Sequence, residues 1–119
     1  MPENSTVWGL FYNAKENRAV SAGTEIFKEG EAGAEMYGVV EGEVELRGSS
    51  GFQETLRPQS VFGEMALVDD APRSATAVAK TDATLAVIDR HRFLFLVQES
   101  PTFALEVMGV MADRLRRRS

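Results

Sequence analysis

The chain has 119 residues, enough for one domain, and its 44% hydrophobic and 26% charged residues suit a folded globular protein rather than a disordered tail. It has no cysteine, which excludes disulfides, thiolate metal sites and cysteine nucleophiles together. A net charge of −5, no basic-then-apolar leader and only short apolar runs argue against nucleic-acid binding, secretion and membrane insertion, so a cytoplasmic protein is expected.

Residues 7–14 include Trp8, Leu10, Phe11 and Tyr12 and read as a short helix or an irregular packing segment. From Ala19 the pattern turns to β. Strands are expected over 19–20 and 25–27, on either side of Ala22-Gly23, and over 36–40 after the glycine-containing stretch 28–33. Glu41-Gly42 reads as a hairpin turn into an alternating strand over 43–47, with Val44 and Leu46 on one face. Gly48-Ser49-Ser50-Gly51 reads as a second hairpin turn, into 52–56. Strands over 76–80 and 84–89, with Thr81-Asp82 between them, complete the series.

The last thirty residues switch to helix. Asp89 is a capping residue for a helix through 92–97. Ser100-Pro101 is a start signal for a second helix that runs to Arg118. Leu105, Met108, Ala112 and Leu115 form one stripe on it, to be buried against the strands or against a second copy of the chain. The expected fold class is α+β: a jelly-roll-like antiparallel β-sandwich, or β-roll, over about 19–89, then two C-terminal helices over about 90–118. All of residues 1–119 form a single domain in this reading.

Residues 62–76 carry the chemistry. Gly63 allows the backbone to approach a ligand, and Glu64-Met65-Ala66-Leu67 suffice for one helical turn. Such a turn presents unpaired N–H groups that suit a phosphate. Pro72 fixes the backbone before Arg73, whose fork of donors matches phosphate oxygens. Ser74 and Thr76 add hydroxyls. A carboxylate beside an anion site makes sense if the ligand also has a sugar hydroxyl for Glu64 to accept. The competing reading is an exposed ion pair of little consequence.

Phe-Gly-Glu at 62–64 and Pro-Arg-Ser-Ala-Thr at 72–76, at this separation, resemble the phosphate-binding cassette of cyclic-nucleotide-binding domains. Residues 26–42 resemble the same family's first glycine-rich strand pair. The resemblance implies that Glu64 accepts from the ribose 2′-OH and Arg73 pairs with the exocyclic phosphate oxygens. It further implies that Phe62, Gly63, the amides around Met65 and Ala66, and that of Ser74 or Ala75 complete the cradle. A threonine after the arginine favours cGMP in this family; Ser74 stands here, so cAMP is the expected ligand, with cGMP possible and no metal. Two departures stand out: Arg57-Pro58-Gln59-Ser60 lacks the glycine usual before Phe-Gly-Glu, and Gly38 replaces a larger apolar residue.

The family's C-terminal helix closes over the base, which here points to Arg114, Leu115 and Arg118. Those arginines equally suit a helix end, where cations meet the negative end of the dipole. The function implied is a free-standing sensor that relays ligand binding through this helix to a protein partner, with a homodimer through the helix possible. The alternatives are a β-roll that no longer binds nucleotide and serves as an interaction platform, and the detached effector domain of a larger regulator. Catalysis is not expected: the lone His91 sits at a helix start, and Asp69-Asp70 are adjacent turn carboxylates.

Overall fold

The computed structural model describes residues 16–68 and 71–118, the side chains of the last two excepted. The segment 7–14 and Asp69-Asp70 lie outside the described residues. The elements are β1 (Glu16–Val20), β2 (Glu25–Phe27), β3 (Glu35–Glu41), β4 (Val44–Arg47), β5 (Gln53–Leu56), β6 (Val61–Phe62), α1 (Met65–Val68), β7 (Thr76–Ala79), β8 (Ala83–Asp89), α2 (Arg90–Glu99) and α3 (Pro101–Arg118). They form two four-stranded sheets, ordered β1-β8-β3-β6 and β2-β7-β4-β5. Every pairing is antiparallel. The expected α+β class and β-sandwich with C-terminal helices are what the chain adopts.

Alternation along β8 explains the layering. Leu85 and Val87 join Phe27, Val44, Leu46, Leu56 and Phe62 between the sheets. Ala86 and Ile88 face the other way, against Phe93, Leu96, Phe103 and Val107 of the helices. The first sheet is therefore covered on both faces, which is why β3 shows no polar alternation from Met36 to Val39.

The turn expectations divide. Gly48-Ser49-Ser50-Gly51 does join a hairpin, with Val44 opposite Leu56 and Arg47 opposite Gln53. Glu41-Gly42 does not: it is a corner that carries the chain from one sheet to the other. β3 already has β8 and β6 on its two edges, and β4 has β7 and β5. Neither has an edge left to pair with the other. β6, which sequence reading did not assign, is only two residues long, too short to show a period; it is held by Tyr37 opposite Phe62 and Gly38 opposite Val61.

The loop without the usual glycine still makes a left-handed turn. Gln59 has φ 77°, the only positive value at a non-glycine among the described residues. The turn is held because the Gln59 N–H donates to the Val39 carbonyl (3.0 Å) and the Val39 N–H to the Ser60 carbonyl (2.9 Å). A side chain in this region costs roughly 1–2 kcal/mol, partly offset by the ~0.5–1 kcal/mol of chain entropy that glycine adds to the unfolded state. Gln59→Gly is expected to stabilise the domain by up to about 1 kcal/mol, read as a higher urea midpoint at unchanged slope. An unchanged or lower midpoint would show that the strain is already relieved.

Asp89 caps α2, its carboxylate accepting from the Arg92 N–H at 2.8 Å. Ser100 ends α2 and opens α3: its N–H donates to the Leu96 carbonyl, and its carbonyl accepts from the Phe103 N–H. The two helices turn by 119° at this point, and Phe93 meets Phe103 edge-on at 5.6 Å. No single described helix is long and apolar enough to cross a membrane. Of the stripe Leu105, Met108, Ala112 and Leu115, Leu105 and Met108 are 66% and 57% exposed, Ala112 is half-buried, and Leu115, 62% exposed, reaches the cavity described below. The packing face is offset, running through Phe103, Val107, Val110 and Met111.

Candidate functional site

Arg73 is brought to the centre of the molecule by its own backbone. Its N–H donates to the Glu31 carbonyl, and its carbonyl accepts from the Gly30 N–H, both at 2.8 Å. These bonds dock the segment after Pro72 against the loop between β2 and β3. The side chain is 7% exposed. Its guanidinium carbon lies 4.1 Å from the centre of the Phe27 ring and 5.8 Å from that of Tyr37, a cation over aromatic faces. Nη1 donates to the Gly63 carbonyl at 3.0 Å, while the buried Nε has no acceptor among the described residues. Burial pulls the pKa of Arg73 below the usual arginine value, against the opposing pull of Tyr37, Glu35, Glu31 and Glu64. Since arginine does not give up its proton, the result is a buried, under-compensated cation that an anion would relieve.

Two glycines make room for it. A Cβ at Gly33 would lie 2.4 Å from both Cζ and Nε of Arg73. Gly63 adopts φ 81°, and a Cβ there would meet Nη1 of Arg73 at 3.0 Å and the Glu35 carbonyl at 3.3 Å. That conformation ends β6 sharply and starts α1, whose Leu67 and Val68 N–H groups return to the Glu64 carbonyl. At the start of α2, Arg90 donates to the carbonyls of Leu67 (3.1 Å) and Ala66 (3.3 Å), tying α1 to the helices.

Glu64 is 3% exposed. Its Oε1 accepts from Nη1 of Arg114 at 2.9 Å. Arg114 also donates through Nη2 to the Val61 carbonyl and through Nε to Glu54 Oε1, the latter at 3.4 Å. One side chain on α3 thus reaches β5, β6 and the residue before α1.

Gly63, Glu64, Met65, Ala66, Arg73, Ser74, Ala75, Arg114 and Leu115 line one cavity. Counted out to its open mouth, solvent included, it encloses about 620 Å³. Of the other two expected site residues, one falls elsewhere and the side chain of the other is not described. Phe62 is fully buried under the cavity, stacked on Tyr37 at 5.2 Å, so it supports the floor and is not available to a ligand. The Arg118 side chain lies outside the described residues. Phe27, Leu46 and Met111 also line the cavity. Nothing in the sequence singles them out, because each is an ordinary apolar residue on a strand or helix. Among the described residues no group of three His, Cys, Asp or Glu is placed to hold a metal.

Tyr37 completes the aromatic floor. Its hydroxyl donates to Glu35 Oε1 at 2.8 Å. Burial, then this bond and the Glu35 charge, push its pKa up to about 12 from 10.0. A raised value favours the protonated phenol in the folded state, so this stability is complete below pH 10 and is lost as pH rises toward 12. The stability of the wild type is therefore expected to fall more steeply across that window than that of Tyr37→Phe, as followed by urea unfolding at stepped pH. Parallel curves would mean the phenol is not held in this way.

The family model for the cyclic nucleotide-binding domain matches residues 17–100. The chain is 38% identical to the cyclic AMP receptor protein of Thermus thermophilus over 106 residues, 85% of this chain and 49% of that protein. It is 41% identical to the cAMP-dependent protein kinase regulatory subunit of Yarrowia lipolytica over 83 residues, 68% of this chain and 22% of the subunit. A structure solved in work on a cyclic-GMP-dependent signalling pathway in bacterial phytopathogenesis superposes with a TM-score of 0.81 at 28% identity, covering 98% of this chain and 94% of the other. The chain belongs to the cyclic-nucleotide-binding domain family. It spans half or less of the length of the two named relatives.

Proposed function

We propose that the cavity binds a 3′,5′-cyclic nucleotide, cAMP in preference to cGMP, and that the chain acts as a sensor rather than an enzyme. The observation that carries the reading is the buried Arg73 guanidinium, with an Nε lacking an acceptor among the described residues, in the same cavity as the buried carboxylate of Glu64. A cyclic phosphate supplies anionic oxygens to the first, and a ribose hydroxyl donates to the second. Gly63, the amides of Met65 and Ala66, and Ser74 and Ala75 close the cradle. Met111, Leu115 and Leu46 offer an apolar seat for the base, with Arg114, and Arg118 beyond it, on the covering helix. The preference for cAMP rests on Ser74, in place of the threonine that favours cGMP.

Titration calorimetry with cAMP, cGMP and 5′-AMP tests this. Saturable binding of a cyclic nucleotide well below a millimolar is expected, with cAMP tighter than cGMP and both tighter than 5′-AMP. A millimolar constant corresponds to only about −4 kcal/mol, and no binding below it would overturn the reading. The reading includes a single domain across residues 1–119, a cytoplasmic place of action and a relay through α3 to a protein partner. The exposed Leu105 and Met108 of α3, three residues apart, suit a two-helix seam with a second copy. Sedimentation of wild type against Met108→Glu tests that seam: a dimer reduced to a monomer supports it, and a wild-type monomer at high concentration excludes it.

A further inference from the structure

We infer that Glu54, on β5, is a positioning residue of the pocket: it sets the closed position of α3 by holding Arg114. This rests on the nucleotide-binding reading of the same cavity. Glu54 is not among the residues lining that cavity, yet its side chain is only 15% exposed and its carboxylate meets Nε of Arg114. Arg114 then uses its other two nitrogens on Glu64 and on the Val61 carbonyl. A guanidinium is planar, so fixing Nε fixes the plane in which both Nη groups point. With Glu54 in place, Nη1 meets one oxygen of Glu64, and a carboxylate has acceptor capacity for a ligand hydroxyl besides.

The geometry has an energetic consequence. Arg114 and its two carboxylates are largely buried, with side-chain exposures of 11% for the arginine, 3% for Glu64 and 15% for Glu54. Removing one partner of a charge pair withdrawn from water leaves the other buried without compensation, which changes where that group sits. Arg114 freed from Glu54 has one anchor on β5 fewer, and the C-terminal half of α3 opens more often. Apparent affinity falls in proportion to the closed fraction. Because Glu54 acts on α3 and not on the base, the loss is the same for both nucleotides.

Hydrogen exchange and calorimetry on the whole chain test this together. In the ligand-free protein Glu54→Ala is expected to speed amide exchange over residues 110–117. It should weaken cAMP and cGMP alike by roughly fivefold or more, the lower end of ordinary site-to-site coupling. Glu54→Gln keeps an acceptor for Nε and is expected to recover most of both effects. Unchanged exchange in Glu54→Ala overturns the inference. So does an altered cAMP-to-cGMP ratio, which would mean contact with the base, or a glutamine variant no better than alanine. If the wild type binds neither nucleotide, the proposed function fails, while the exchange experiment on ligand-free protein still decides the role of Glu54.

Discussion

Arg73→Ala is expected to abolish measurable cyclic-nucleotide binding while the domain stays folded. The guanidinium lines the cavity, held over Phe27 and pointed by the Gly63 carbonyl. Hydrogen bonds to charged partners contribute about 1.5–3 kcal/mol each. A phosphate that loses two of them loses roughly 3–6 kcal/mol, at least about a hundredfold in affinity. The substitution strands no buried carboxylate, because Glu64 is paired with Arg114 and not with Arg73. Calorimetry with cAMP and cGMP checks the affinity, and a cooperative thermal melt checks the fold. Binding within about threefold of wild type in a folded variant would place the phosphate elsewhere.

Gly33→Ala is expected to act on the same contact from behind. The added methyl would fall 2.4 Å from Cζ and Nε and 2.8 Å from Nη2 of Arg73, closer than a methyl carbon packs against its neighbours. What it strikes is the end of a flexible side chain, so the backbone can keep its place and Arg73 gives way. Stability should fall by about 1 kcal/mol, the centre of the range for point substitutions. Affinity should fall by at least tenfold, because misplacing the charged fork forfeits at least one charged hydrogen bond. Comparing urea unfolding with calorimetry separates the two effects. A variant that loses stability but binds normally would show that the loop between β2 and β3 moves instead of Arg73. With both substitutions combined, the glycine effect should vanish, since the side chain it displaces is gone.

These two residues show how far the sequence could be read. Arg73 stood out because the residues after it in the chain, Ser74 and Ala75, also line the cavity. Gly33 lies forty positions away and is joined to it only by the hydrogen bonds of Arg73 with Glu31 and Gly30. Glu54 is hidden for the same reason: nothing on its strand marks it, and the approach of α3 brings it to Arg114. Glycine chemistry marked the turns at Gly42 and Gly48–Gly51 alike. It could not tell a hairpin from a corner, because that depends on which strand edges are already taken. The stripe on α3 was visible, but two overlapping stripes run along that helix. Phe103 and Val107 in the core and Arg114 on Glu64 decided that the other one faces inward.

Local order along the chain was therefore enough for the β-roll with its two trailing helices, and for a cassette at 62–76 with a carboxylate and an arginine. Those features rest on period, turn chemistry and neighbours within about fifteen residues. The tertiary structure decided the rest. It set the sheet each strand joins, the face α3 turns to the roll, and the burial of Glu64 against Arg114. It also placed Gly33 where a side chain would displace Arg73. Each depends on contacts between segments far apart in sequence, whose geometry is set by close packing of the whole domain and leaves no periodic mark on any one segment.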